Sequence, residues 1–416
     1  MQAAQQLAQA LQREMRPSER ARLELRLAAI AARQGRFDES LATVQRLRAA
    51  QADGSLPAEA ETAAWMQLVE GLVSLHRAPE SASSEALARA QALARLAPGS
   101  EVEALAAAWL AHLHFNQGRM AQFAPQAARA LELAGAAPGL QARWPAARAR
   151  VALTVAVAWM SAGQERVAQG WFGCAREAAS SAGDSLLMAA VLHDRAAFGV
   201  HRLRIGWALT TPGAAAPLQG QGQEQGQEQE QEQEQEQEQE QEQEQELARL
   251  QLDASRNYEA AVRAQALAEL QPLARIALLV VQARPEEALG WIEQTLPRLV
   301  EAGLARYDAQ LRADRLWCHV ALRRPADALT EGADIEARLV HTPDPDDRLI
   351  VHATLAHALR LAGQDAAAAH HAQRAAHEHT RMQAVWGQLV AELRAHGLEH
   401  VPDEPPTPAA GARADG

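Results

Sequence analysis

The sequence predicts an all-α fold built from antiparallel helix hairpins that repeat about every 40 residues, and three observations predict it. Ala, Leu, Arg, Glu and Gln dominate while β-branched and aromatic residues are sparse, a balance that favours helix over strand. Apolar residues recur at helical spacing over stretches of about 14 to 20 residues, each closed by Gly or opened by Pro. The punctuation is itself periodic: Pro285, Pro325 and Asp365 stand 40 residues apart, and Ala288, Ala328 and Ala368 keep the same interval.

The chain opens with MQAAQQLAQALQREM, which has neither the basic start nor the apolar run of a signal peptide. No stretch approaches the roughly 18 apolar residues needed to cross a bilayer, so the expectation is a soluble protein of a bacterial cytoplasm. RQGRFDES around Gly35, NQGRMAQF around Gly118 and SAGQERVA around Gly163 each follow one helical pattern and precede another. Glycine there supplies the backbone freedom that ends the first helix of a pair. SLLMAAVLHDRAAFGVHRLR predicts a further first helix over 184–205, ending at Gly206. Its partner is delayed until LARLQLDASRNYEAAVRAQALAEL, because the Gln/Glu tract of 219–246 intervenes.

That tract has helix-forming residues but no apolar face to bury, and glutamates four apart repel. It reads as a low-complexity expansion in a surface loop, with an acidic arm for a basic partner as the alternative. It also explains the formal charge of -12, since eleven glutamates lie inside it and the rest of the chain stands at -1. Charge therefore makes no case for nucleic acid or an anionic membrane as partner. The segments expected are N-terminal hairpins over 1–211, the insertion over 212–246, C-terminal hairpins with a capping helix over 247–401, and a disordered tail over 402–416.

In the last third, RPEEAL from Arg284 and RPADAL from Arg324 begin second helices, with Pro285 and Pro325 where an N–H would lack a partner anyway. The clearest unit is LIVHATLAHALRLAGQDAAAAHHAQRA, in which Leu355 and Ala356 form a large–small pair, Gly363 makes the turn, and Ala368 and Ala375 are the small residues of the second helix. On these residues the chain resembles the tetratricopeptide repeat proteins over roughly residues 20–395, and in particular their long-helix versions in the sensor regions of bacterial signalling proteins. The resemblance implies a right-handed superhelical solenoid whose first helices line a concave groove used for binding. The spacing of about 40 exceeds the 34 of the usual repeat, and Ala or Leu often replaces the family's aromatics.

Little points to catalysis. The chain contains no lysine, so all 40 basic residues are arginine, which excludes a phosphate-loop, Schiff-base or general-base lysine. Cys174 and Cys318 sit in apolar helical stretches, as buried cysteines do. Six histidines fall between His352 and His379 (with His357, His370, His371 and His377), but no pair has the i,i+4 spacing of helical metal ligands. HEHTR at His377 has Arg381 where HExxH needs its second histidine, so a solvated face is expected and no metal. GDSL at Gly183–Leu186 matches a hydrolase motif only as a string, because it lies between helices, where Asp184 or Ser185 serves as an N-cap. There is no Gly-rich loop after a strand, no C-x-x-C pair and no cyclase signature, so no cofactor is expected.

What remains is the groove. The first-helix face turned away from the turn-packing residues carries Trp109, His112, Phe115, Asn116, Met160, His193, Arg204, Asp314, Trp317, His357 and Arg360. Trp and Arg are common interface anchors, although Trp109 and Trp317 also suit inter-repeat core. The expected function is a non-enzymatic scaffold that binds a protein or peptide in its concave groove, as sensor or adaptor in bacterial signalling or transcription. The alternative is a sensor that binds a metabolite in the same groove.

Overall fold

In the computed structural model every regular element among the described residues is a helix, as the composition requires. Those residues are 2–13, 15–77, 82–135, 142–210, 245, 248–264, 270–299, 304–324, 332–342 and 344–401. The expectations for the Gln/Glu tract (apart from Gln245), for the Pro325 turn with Ala328 and for the 402–416 tail fall outside them. No helix among the described residues is long and apolar enough to cross a membrane.

The chain divides into two compact units, residues 1–191 with 388–416 and residues 192–387. The first holds α1 (Gln2–Ala10), α2 (Pro17–Arg33), α3 (Phe37–Ala52), α4 (Ala60–Arg77), α5 (Ala82–Ala94), α6 (Glu101–Asn116), α7 (Met120–Leu133), α8 (Pro145–Ser161), α9 (Glu165–Ser181) and the start of α10 (Ser185–Thr210). Neighbours in sequence pack as hairpins, α2 on α3, α4 on α5, α6 on α7 and α8 on α9. The first members also pack side by side, α2 on α4, α4 on α6 and α6 on α8. Alanine makes this close stacking feasible: Ala104, Ala106, Ala107, Ala108 and Ala111 of α6 are all fully buried. The end of the chain joins the same unit, where the carbonyl of Leu398 accepts from the indole N–H groups of Trp159 (2.8 Å) and Trp171 (3.1 Å).

The second unit holds the rest of α10, α11 (residues 248–263), α12 (Gln271–Val281), α13 (Pro285–Thr295), α14 (Asp308–Ala321), α15 (Gly332–Arg338), α16 (Pro345–Leu361) and most of α17 (Asp365–Ala395). Val200 and Leu203 of α10 meet Leu250, Ala254 and Tyr258 of α11 and Ala274, Ala277 and Leu278 of α12 in one apolar cluster. α14 packs on α13, α15 and α16. Leu355, Ala356, Ala368 and Ala375, the residues that carry the family resemblance, are all buried, and so are Cys174 and Cys318. Burial pushes the Cys318 thiol up, which leaves it unreactive.

One boundary differs from expectation. α10 runs through Gly206 to Thr210, because Ile205, Trp207, Ala208 and Leu209 continue an apolar cluster with Leu349, Ile350 and Ala353 of α16. That burial outweighs the roughly 1 kcal/mol that a mid-helix glycine costs. Successive stretches of α10 pack in different clusters, Leu187 with α8 and α9 and Val200 with α11 and α12.

One turn recurs. After α2, α6, α8, α9, α12, α14 and α16 a residue with positive φ breaks the helix: Gly35, Gly118, Gly163, Gly183, Ala283, Arg323 and Gly363. The next residue's N–H then bonds to the carbonyl five positions back, at 2.8 to 3.2 Å. This double reversal closes the helix, and at all of these but Arg323, where residues 325–331 are not described, the successor starts within three residues. Glycine adopts the left-handed region freely, whereas Ala283 (φ 51°) and Arg323 (φ 58°) occupy it against their Cβ atoms. Replacing Gly363, at φ 74°, with valine is expected to destabilise the protein by about 1 to 2 kcal/mol through backbone strain alone, because an added Cβ meets nothing within 4 Å. Ala283→Gly is expected to do the reverse, stabilising by about 0.5 to 1 kcal/mol in urea unfolding.

Candidate functional site

Within the first unit, one face from each of several helices converges on a cavity of about 300 Å³. α2 contributes Arg26, Ala29, Ile30 and Arg33, spaced i, i+3, i+4, i+7 along a single stripe. Trp65, Leu68 and Leu72 come from α4, Glu101, Leu105 and Trp109 from α6, and Ala146 and Arg150 from α8. Leu187 of α10, with Ala182 and Asp184 before it, completes the wall, while Gln6 and Leu7 of α1 lie at its edge. The volume falls at the lower end of the range for ligand pockets, about 300 to 1,000 Å³.

The polar groups in this cavity are organised as pairs. Arg26 forms an ion pair with Glu101, and Arg33 reaches Asp184 at 2.6 Å. Burial holds the Glu101 carboxyl above the usual carboxylate range, although Arg26 opposes it. Burial also works against the Asp184 charge, but Arg33 and the N–H groups of Leu186 and Leu187 outweigh it, and that carboxyl lies below its ordinary value. Those same N–H groups bond to Asp184 Oδ1 at 3.1 Å, so Asp184 is the N-cap of α10. The guanidinium of Arg150 lies 4.1 Å from the Trp109 ring centre, and that of Arg26 lies 5.9 Å from Trp65. Such Arg–Trp contacts contribute about 0.5 to 2 kcal/mol each, depending on desolvation. Apolar floor, aromatic walls and a few fixed polar groups make a surface suited to holding a guest by shape and apolar area.

The sequence-derived groove residues separate into different surroundings. Trp109 lines the cavity, and His112 stands edge-on to it with ring centres 5.6 Å apart. Asn116 is exposed and meets His112 at 3.1 Å, while Phe115 packs on Phe123 and Met160 is buried. In the second unit Arg204, Asp314, Trp317 and His357 do come together, but as interior. Arg204 and Asp314 are both 0% exposed and form an ion pair, and Arg204 Nη2 donates to Thr354 Oγ1 at 2.9 Å. Trp207 lies under the Arg204 guanidinium at 4.0 Å and stands edge-on to Trp317 and His357. The face expected to be open is covered because α14 and α16 pack on each other and share a core. Met160, His193, Arg204, Asp314 and Trp317 are thus buried, Trp109 is buried in the cavity wall, and Arg360 is half-buried.

The histidine-rich stretch is likewise part interior. His352 and His371 are buried with their Nδ1 atoms 3.1 Å apart, a spacing that requires one donor and one acceptor, so the accepting ring is neutral. Burial lowers His352 to about 3, with His371, Arg374 and Arg348 adding to the effect. Sequence reading missed a second group. His201 Nε2 lies 3.0 Å from Asp346 Oδ2, and its Nδ1 lies 3.8 Å from Asp347 Oδ1, at the first turn of α16. Burial raises the Asp347 carboxyl to about 6, against the pull of His201 and together with the charges of Asp346 and Asp344. Among the described residues this is the one set of three such side chains close enough to share a metal ion. Its two ring nitrogens face separate carboxylates, which is the geometry of an imidazolium held in an ion-pair cluster. The string DPDD at Asp344–Asp347 was visible, but His201 lies 145 residues away.

Comparison with protein-family models, with curated proteins and with solved structures finds no match for this chain.

Two tests follow from the second unit. Arg204→Met is expected to cost about 3 to 5 kcal/mol in urea unfolding by stranding Asp314, whereas adding Asp314→Leu should restore most of that loss. The sign of the His352 effect is set by its lowered value: below about pH 6.5 the unfolded chain takes up a proton that the folded chain refuses, so stability falls as pH drops towards about 3. A slope of up to about 1.4 kcal/mol per pH unit is expected, reduced in His352→Gln.

Proposed function

We propose that the chain is a non-enzymatic helical-repeat scaffold of the tetratricopeptide-like kind, which binds a protein or peptide partner through the cavity of its first unit. The observation that carries this reading is the convergence of one stripe from each of α2, α4, α6 and α8 on a single cavity with apolar and aromatic walls. The first helix of each hairpin lining a concave face is the arrangement that a right-handed superhelical stack provides for binding. Working as sensor or adaptor in bacterial signalling or transcription would suit such a surface. The volume of the cavity also suits a second reading, a metabolite sensor.

Ala146→Phe, which directs a ring into the cavity from the first turn of α8, tests the proposal. Partner capture by the purified chain, followed by affinity measurement on the captured protein, is expected to fall at least about tenfold in this variant while circular dichroism stays helical. Unchanged affinity would move the binding surface elsewhere. A thermal shift with a metabolite in place of a captured protein would favour the second reading.

A further inference from the structure

α1 lies at the edge of the cavity, precedes the first of the stacked hairpins and packs on α2. It runs for nine residues, Gln2–Ala10, and no side chain from Gln2 through Gln12 carries a charge. Ala4, Leu7, Ala10 and Leu11 form its half-buried side, whereas Gln5, Gln6, Ala8 and Gln9 are exposed. The spacing i, i+3, i+6, i+7 is that of an apolar stripe laid into a groove. Leu7 reaches the cavity, and Arg20 donates to the Leu11 carbonyl at 3.1 Å where α1 ends. A helix this short is not stable alone in water, so docking is what keeps it helical. Only Gln6 and Leu7 of α1 line the cavity, and about 300 Å³ of it stays open.

The geometry points to a specific class of partner, and we propose that α1 occupies the site in cis as a stand-in for it. The partner is an uncharged amphipathic helix that lies in the register of α1 with a bulkier side chain, such as Phe, at the position of Leu7. It displaces α1 because the larger side chain buries apolar surface that Leu7 leaves uncovered. This rests on the reading of the cavity as the binding surface. The paired state of Arg26 with Glu101 and Arg33 with Asp184 agrees with an uncharged guest, because neither ion pair has to be broken to admit one.

The probe is a labelled peptide of residues 1–13, followed by fluorescence anisotropy and by the emission of Trp65 and Trp109. It is titrated into the full chain and into the full chain carrying Leu7→Asp, which undocks α1 by placing a charge on its apolar stripe. Binding is expected to be at least about tenfold tighter to Leu7→Asp than to the unaltered chain, because the tethered helix competes at an effective concentration on the order of 1 mM. The peptide with Leu7→Phe should bind more tightly than the native peptide, and the peptide with Leu7→Asp should not bind. Equal binding to the two chains overturns the proposal, as does no saturable binding to either at about 1 mM peptide. If the peptide fails while Ala146→Phe still blocks partner capture, α1 is not the occupant and the cavity reading stands. When the peptide behaves as expected but Ala146→Phe leaves capture intact, the occupant is right and the functional reading fails.

Discussion

The left-handed residue that closes a helix pair is the constraint on which the other features depend. Where it turns the chain at Gly35, Gly118, Gly163, Gly183, Ala283 and Gly363, the following N–H returns to the helix it has just left, and the next helix starts within three residues. Two helices joined so tightly have no option but to pack on each other. With each pair fixed, successive first helices come side by side, and a stripe on one faces the stripe on the next. The cavity between α2, α4, α6 and α8 follows from this order, not from any special local sequence. In the second unit the same turn is made at Ala283 and Arg323 without glycine, and Pro285 opens α13 two residues after the first of them. There the fixed φ of proline sets the next helix while the residue at the turn bears the strain.

The second constraint is the absence of lysine. With 40 arginines as the only strong cations, every buried positive charge is a planar group that can stack and fork at the same time. Arg204 does both, lying on Trp207 while pairing with Asp314 and Thr354. Arg26 spans Trp65 and Glu101 in a similar way, and Arg150 lies on Trp109. An ammonium group would offer a point charge without the flat face, and these sites would lose the stacking half of their stabilisation. Trp65, Trp109 and Trp207 thus serve in this chain as partners for arginine.

That use of tryptophan explains what the sequence could and could not convey. The all-helical class, the turns at Gly35, Gly118, Gly163 and Gly363 and the small buried residues Ala288 and Ala368 were legible because each is a local pattern with a local cause. Gly206 misled for the same reason, since a lone glycine reads as a stop and only the α16 residues Leu349 and Ile350 show why the helix continues. The groove residues were harder still. A polar residue on a first-helix face looks exposed until its counter-charge is known, and Asp314 lies 110 residues from Arg204. His201 with Asp346 and Asp347 went unread on the same ground, for periodicity carries no information about which distant helices will meet.

The pairing of charges also governs how a partner can be recognised. Outside the Gln/Glu tract the formal charge is close to zero, and within the cavity Arg26 and Arg33 each have a carboxylate beside them. Long-range attraction therefore supplies little of the association rate, and screening by salt has little to remove. For the proposed partner, affinity has to come from apolar area and fit, which is a demanding requirement for a cavity of about 300 Å³. Burying one aromatic side chain there amounts to roughly 1.5 to 3 kcal/mol, a useful difference between two competing helices but a small part of any binding energy. Under the proposed reading, such a site discriminates between guests more readily than it holds any one of them tightly, and the rest of the interface lies along the helix that carries the side chain.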